Sequence, residues 1–411
     1  MMQFNLATLL YKMQICGYDQ RKYWDLVFKK TKGKVQATAR VRRLRWVSYV
    51  LIVLGLGLPL LCLAHVVAWA NWLLRPYEKG VQRYFLRRAQ KVLSRRPDLI
   101  KIGVTGSYGK TSVKNILAQL LSVKYRVVAS PASYNTPMGL ARTVNENLKA
   151  DTQVLIMEMG ARRSGEIQEL AQILKPRYAI ITSIGACHLE TFGDMQTVAR
   201  TKAEVLAELS IDGLAVTDGD NPWCQKLMHP NLVQVKTADV SEIPTNLLGA
   251  HQQKNLQMAA VIARTLGVDE DAIREVAQNL QPTPHRLEKI VAPNGIIIFD
   301  DSYNANPKSA ENALALIANY QTRKVVQTPG FVEQGTNAEQ AHLEFCAQIK
   351  MVADAVIVVG ELNRKYFEQG LNGWHGDVVY VPDRESAKKI YPQWLSKGDI
   401  LLMINDLPEQ Y

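Results

Sequence analysis

The chain has 411 residues, 47% of them hydrophobic, and a net charge of +11 from 49 Lys and Arg against 38 Asp and Glu. That length gives room for two or three cored units and excludes a small stapled scaffold. The charge would suit nucleic acid, but it is unevenly placed: residues 1–101 hold 20 basic and 4 acidic residues, net +16, whereas 102–411 hold 29 and 34, net −5.

From Trp46 to Leu74 run 29 residues without Asp, Glu, Lys or Arg. As one straight helix this stretch would reach about 43 Å, past the roughly 30 Å hydrocarbon core of a bilayer. Gly55, Gly57 and Pro59 at its centre favour a kink or a re-entrant turn. Arg40, Arg42, Arg43 and Arg45 precede it, and Arg75, Lys79, Arg83, Arg87 and Arg88 follow it. Because basic residues stay on the cytoplasmic side, the pattern predicts a membrane hairpin over 46–74, ahead of a single crossing or a buried soluble helix. Trp46, Trp69, Trp72 and Tyr77 fit an interfacial belt, and the basic flanks suit anionic headgroups. The expected location is the cell membrane with the catalytic domains facing the cytoplasm. Membrane is a partner on this reading; nucleic acid is not. The five scattered cysteines, with no C-x-x-C, fit a reducing compartment.

Residues 99–104 read as a buried strand leading into Thr105-Gly-Ser-Tyr-Gly-Lys-Thr-Ser112 and a helical pattern to Leu121. Strand, glycine-rich turn, Lys, hydroxyl and helix is the order that a nucleoside triphosphate site needs. Gly106 and Gly109 let backbone N–H groups approach phosphate oxygens, with Ser107 and Ser112 on the same loop. Lys110 neutralises the outer phosphates, and Thr111 can ligate Mg²⁺. The spacing is Gly-x-x-Gly-Lys-Thr; the longer form fails because Val104 stands where it wants Gly.

A strand at Val154–Met157 ends in Glu158, and a second apolar run at Tyr178–Ser183 leads to His188, followed by a helical stretch carrying Lys202. Strand tips are where α/β sheets bind ligands, and Mg²⁺ takes few, hard oxygen ligands, which suits Thr111 and Glu158. A histidine and a lysine beside that metal need a further explanation. Downstream, Gly249 to Asn255 opens a helix over Leu256–Leu266, and Pro284-His-Arg286-Leu-Glu288 precedes a strand at Gly295–Phe299. That strand runs into Asp300-Asp-Ser-Tyr-Asn-Ala-Asn-Pro307, whose density of polar groups reads as a ligand-binding loop. A second doubly wound unit follows, with strands at Lys324–Gln327, Ala355–Val359, Val378–Val381 and Ile400–Ile404 and a helix at His342–Val352.

Together TGSYGKTS (105–112), EMGARRSGEI (158–167), HLETFG (188–193), VARTKAE (198–204), Asn255, RLE (286–288) and DDSYNANP (300–307) resemble the Mur ligase superfamily, and within it the MurF type, over about residues 100–405. The resemblance implies an α/β protein with a P-loop central ATP-binding domain at 99–284 and a Rossmann-like C-terminal domain at 285–411, preceded by the basic region at 1–98. It implies an ATP-dependent amide ligase that phosphorylates a carboxylate and lets an amine displace the phosphate. Gly106, Ser107, Gly109, Lys110, Thr111 and Ser112 would hold ATP with Asn255, Arg286 and Asp301. Thr111 and Glu158 would ligate one Mg²⁺ and His188 a second. Lys202 would be carbamylated, which turns a cation into an oxygen ligand. Asn135 and Thr136 would meet the carboxylate substrate, and Tyr303, Asn304 and Asn306 the amine or the domain interface.

Two departures bear on the substrates. The basic quarter stands where the MurF type has a UDP-sugar domain, which opens the acceptor to a small-molecule or lipid-linked carboxylate. The end of the chain, Ile404 to Tyr411 with Asp406, replaces the family's Lys-Gly-Ser type loop. The expected product is a cell-envelope precursor extended by an amino acid or dipeptide. A polyglutamate-type chain-extending ligase, or a membrane scaffold that binds nucleotide without turnover, are the alternatives.

Overall fold

The computed structural model describes residues 6–16, 18–20, 23–24, 38–52, 60–131, 134–187, 189–239, 243–303, 305–332, 334 and 337–405. The chain separates into two compact units, Met1–Arg87 and Arg88–Glu409.

In the first unit the described helices are Leu6–Ile15, Ala39–Leu51 and Leu60–Ser94, the last running on past the unit boundary. Leu9, Leu10 and Met13 from the first, Leu44 and Leu51 from the second, and Val66, Val67 and Ala70 from the third are buried in one cluster. Polar ties close it: Asn71 Nδ2 donates to the Tyr18 carbonyl at 3.0 Å, the Tyr23 hydroxyl to the Ala64 carbonyl at 3.2 Å, and Arg43 pairs with Glu78 at 2.6 Å.

This packing corrects the reading of 46–74. No helix among the described residues is long and apolar enough to cross a membrane. The uncharged run is divided between two helices, and the stretch 60–74 within the long helix covers only about 22 Å before Arg75, Glu78 and Lys79. Its inward-facing apolar residues are used in a helix–helix core. The expectation of a membrane protein with its catalytic domains facing the cytoplasm is overturned by that finding. The proposed turn at Gly55, Gly57 and Pro59 lies outside the described residues.

The second unit holds two six-stranded sheets. The first comprises β1 (Ile100–Thr105), β2 (Val127–Ala129), β3 (Val154–Glu158), β4 (Tyr178–Ile181), β5 (Leu214–Asp218) and β6 (Leu232–Val235), ordered β2-β3-β1-β4-β5-β6 and parallel throughout. Covered on both faces, β3 and β4 are fully buried, which explains their unbroken apolar runs. The helix Lys110–Ser122 packs Val113, Ile116, Leu117, Leu120 and Leu121 against Leu256, Ala259, Ala260 and Ala263 of the helix Ala250–Thr265. Gly103 lies inside β1 because a Cβ there would stand 2.9 Å from Met159 Cε and 3.6 Å from Val205 Cγ2.

The second sheet comprises β7 (Glu288–Val291), β8 (Ile297–Asp301), β9 (Lys324–Thr328), β10 (Ala355–Val359), β11 (Asp377–Val381) and β12 (Ile400–Ile404), ordered β11-β10-β9-β12-β8-β7. Only β7 runs antiparallel, as an edge strand on β8. The chain is thus an α/β protein with two sheets of mainly parallel strands, as the sequence pattern implied. The strand over 295–299 begins two residues later and carries Asp300 and Asp301 as its last two residues.

Candidate functional site

The turn between β1 and the helix Lys110–Ser122 is shaped by its glycines. Gly106 has φ +135°, and an added Cβ would run into the Thr182 hydroxyl; Gly109, at φ +78°, faces Asn255 Oδ1 at 3.0 Å from a built Cβ. The loop is tied to the segment after β4, with Ser107 N donating to Ser183 O and Ser107 Oγ to Gly185 O, both at 2.9 Å. These two strands are neighbours whose connections leave in opposite directions, the place where open sheets bind ligands. No side chain caps the helix at Gly109, so its first-turn N–H groups suit an anion. Lys110 folds back over the loop, its Nζ 3.0 and 3.1 Å from the carbonyls of Gly106 and Ser107.

Glu158, the last residue of β3, is 1% exposed and lies at the centre of a polar cluster. Its Oε2 accepts from Thr111 Oγ1 at 2.9 Å and its Oε1 from Asn135 Nδ2 at 3.2 Å. Lys114 Nζ, 3.5 Å from Oε2, donates to Ser130 O at 2.8 Å, and Ser130 Oγ accepts from Glu158 N at 3.1 Å. Burial holds the Lys114 amine below the usual lysine range, against the pull of Glu158. Lys114 and Ser130 were missed by sequence reasoning. The available signal was Lys114 falling four residues after Lys110 among the helix's buried apolar positions.

Lys202, on the helix Met195–Ala207, is 2% exposed, with its Nζ 5.7 Å from the Phe192 ring centre. Burial first, and the nearby Lys110 charge second, lower its pKa to about 8. His188 lies outside the described residues. Thr136 caps the helix Pro137–Arg142, accepting from Gly139 N at 3.2 Å, and so fixes the loop that carries Asn135.

The second sheet supplies the facing wall. His285 and Leu287 sit at φ 59° and 54°, a strained course held by His285 Nδ1 against Asp300 Oδ2 at 2.7 Å and by Tyr303 N donating to His285 O at 3.2 Å. This presents Arg286 over the Tyr303 ring, 4.6 Å from its centre. Asp301 is buried, which raises its pKa against the opposing charge of Arg286. Asn306 caps the helix Pro307–Ala318 in a reciprocal box with Ser309, so its side-chain oxygen is already committed. Asn304 lies outside the described residues.

Both walls open on one cleft of about 920 Å³. Ser107, Gly109, Lys110, Thr111, Ser112, Asn135, Thr136, Glu158 and Lys202 reach it from the first sheet, with Asn255 from the helix Ala250–Thr265 and Arg286, Asp301, Tyr303 and Asn306 from the second. Gly106 is buried within the turn and is not among the lining residues. The cleft also takes His251, whose Nδ1 has no partner, and Lys254, paired with Asp218 and Asp220. The donor set fits Mg²⁺: two hard oxygens, Thr111 Oγ1 and Glu158 Oε2, meet at the phosphate loop, and this ion retains much of its water. No group of three or more His, Cys, Asp or Glu gathers among the described residues.

Comparison with known proteins agrees. The Mur ligase middle domain matches residues 104–240, and the Mur ligase glutamate ligase domain matches 285–404. The UDP-N-acetylmuramoyl-tripeptide–D-alanyl-D-alanine ligase of Mycobacterium tuberculosis H37Rv is 32% identical over 357 residues, covering 74% of this chain and 69% of that protein. The Bacillus subtilis protein of the same name is 29% identical over 328 residues, covering 73% and 72%. In fold, MurF from Acinetobacter baumannii superposes with a TM-score of 0.70 at 21% identity, covering 79% of this chain and 78% of that one. MurF ligase from Thermotoga maritima in complex with ADP gives 0.69 at 24%, covering 79% and 80%. With two domain models in register on its two sheets and a relative this similar over most of both chains, the protein belongs to the Mur ligase family and is an ATP- and Mg²⁺-dependent enzyme that joins a carboxylate to an amine.

Proposed function

We propose that this ligase adds an amino acid or short peptide, with D-alanyl-D-alanine as the first candidate, to the peptide carboxylate of a peptidoglycan-type precursor. The observation that carries this reading is the Thr111–Glu158–Asn135 cluster, which lies in the same cleft as Arg286, Asp301 and Tyr303 of the other sheet. A phosphate loop on one wall and a polar wall opposite suit a reaction in which an acyl phosphate must be shielded from water until an amine attacks.

Lys110 and the first-turn N–H groups bind the ATP phosphates and stabilise charge on the transferring phosphoryl group. Bound Mg²⁺ would be held by Thr111 and Glu158 and would neutralise phosphate charge. Asn135 and Thr136 orient the acceptor carboxylate towards the γ-phosphate, and Arg286 and Asp301 hold the nucleotide from the second sheet. Asn255, at the helix start beside Gly109, meets the nucleotide from the third side. Tyr303 and Asn306 line the side from which the amine approaches. Lys202, buried and held in no close ion pair among the described residues, with Glu166 and Glu204 acting on it only as more distant charges, is the lysine we assign to carbamylation, giving an oxygen ligand for a second ion together with His188.

The test is ADP and phosphate release from ATP with UDP-N-acetylmuramoyl-tripeptide and D-alanyl-D-alanine, supplied singly and together. Turnover is expected only with both, as a single addition and not a ladder of products. Lys110→Ala should lower kcat/KM by about 100-fold or more. Full activity in that variant, or ATP turnover indifferent to every acceptor and amine tried, would refute the assignment.

A further inference from the structure

His342 lies outside every motif considered above and is completely buried. It sits on the helix Ala338–Val352, stacked on Tyr366 with ring centres 5.0 Å apart, between Phe331 and Phe367. Its Nδ1 is 2.6 Å from the Ala338 carbonyl and must carry the proton there. Nε2 therefore keeps its lone pair and accepts the backbone N–H of Phe331 at 3.0 Å. Both nitrogens are committed, and the ring is a neutral acceptor for one amide.

That amide belongs to the loop that leaves the end of β9. Gly330, at φ +81°, passes so close that an added Cβ would stand 2.6 Å from His342 Nε2 and 2.9 Å from Asn363 Nδ2. Asn363 Nδ2 donates to the carbonyls of Pro329 and Phe331, at 2.9 and 3.1 Å. Gly330 N donates to Thr328 Oγ1 at 3.0 Å. Four hydrogen bonds thus fix three consecutive residues. The two described residues next reached, Val332 and Gln334, line the reaction cleft, joined by a bond of 2.8 Å from Gln334 Nε2 to Val332 O.

We propose that His342 is a positioning residue for the ligase reaction: through the Phe331 amide it sets the part of the cleft wall formed by Val332 and Gln334 and thereby the site of the amine substrate. The assignment of that wall to the amine rests on the proposed function. A purely structural histidine would fill the aromatic cluster equally well as an apolar ring, and would need neither the acceptor nitrogen nor the glycine pressed against it.

Two measurements on the full chain separate the possibilities. The first compares wild type, His342→Leu and His342→Gln by hydrogen exchange, with no substrate needed. Leu removes the acceptor, and Gln can restore one near the Nε2 position. The Phe331 amide should exchange at least about tenfold faster in the Leu variant and return towards wild type in Gln, with β9 and β10 unchanged. Equal exchange in all three, or loosening spread over the whole sheet, would overturn the positioning role. The second is steady-state kinetics with ATP, UDP-N-acetylmuramoyl-tripeptide and D-alanyl-D-alanine. The Leu variant should raise KM for the dipeptide about tenfold while KM for ATP stays within about twofold, with rescue by Gln. A wild-type enzyme that ignores the dipeptide refutes the substrate reading and leaves the exchange result to decide the positioning role. A rise confined to the tripeptide KM moves the wall to the acceptor and refutes the amine assignment.

Discussion

At the scale of single residues, Lys202 poses the sharpest electrostatic question, since an ammonium in a 2% exposed site costs free energy unless it is paired. A pKa lowered from 10.5 to about 8 leaves roughly one lysine in ten neutral at pH 7, against fewer than one in a thousand at the ordinary value. The neutral amine is the form that adds to CO₂, with loss of a proton, to give a carbamate anion. Protein supplied with ¹³C-bicarbonate should therefore show one carbamate carbon resonance that strengthens from pH 7 to 8.5 and is absent in Lys202→Ala. That variant should lose about 100-fold in kcat/KM, with partial recovery in Lys202→Glu, which restores a carboxylate oxygen. A labelled spectrum with no such resonance at either pH would rule the modification out. The role proposed for Lys202 comes only from the resemblance, because a lone lysine on a helical pattern reads as solvated. Lys114 shows the converse: its spacing from Lys110 marks it as inward-facing but not which groups it meets, since its contacts with Ser130 and Glu158 join residues 16 and 44 positions away.

Buried strands were the more legible elements, though interior β5 went unread and edge strand β11 was read. β3, β4, β10 and β12 carry apolar runs, because helices cover both faces of a parallel sheet. β2 has three residues, and in β7 three of four residues are exposed, so neither offered a period to read. The loop 300–307 stood out as polar, yet its chemistry divides. Asp300 and Asp301 end a strand, whereas Asn306 begins a helix, a structural use that a ligand-binding reading hides. Because Asn306 and Ser309 cap each other, Asn306→Ala should lower stability by about 1 kcal/mol, and Asn306→Asp, which keeps the acceptor, by less than about 0.5 kcal/mol. Urea midpoints measure this. The kinetic comparison then isolates any second role: an Asp variant of full stability whose KM for the amine rises would place the Asn306 amide on the substrate.

Over the whole molecule, the charge imbalance was legible and its meaning was not, because an apolar stretch that fits a bilayer also fits a helical core. Hydrophobicity reports burial without saying what does the burying, and Leu44, Leu51, Val66 and Val67 are buried by one another and by the first helix. Global stability gives a property that pattern alone could not supply, its dependence on pH. His251 is held neutral by burial, its pKa lowered from 6.5 to about 4, and burial lowers that of His342 as well. Below pH 6.5 the unfolded chain binds protons that the folded chain refuses, so stability falls on acidification between 6.5 and about 4. From pH 7 to pH 5 the His251 contribution is about 2 kcal/mol of lost stability. Asp220, lowered to about 2 by Lys254 and Thr237, contributes only below its ordinary 3.8 and is silent in this window. Asp301, raised by burial, holds its proton more readily when folded and so opposes the trend. Nucleotide-free protein should therefore show a lower urea midpoint at pH 5 than at pH 7, and His251→Gln should flatten that difference measurably. Equal midpoint differences between pH 7 and pH 5 in wild type and His251→Gln would mean that the His251 imidazole is not kept neutral in the folded chain.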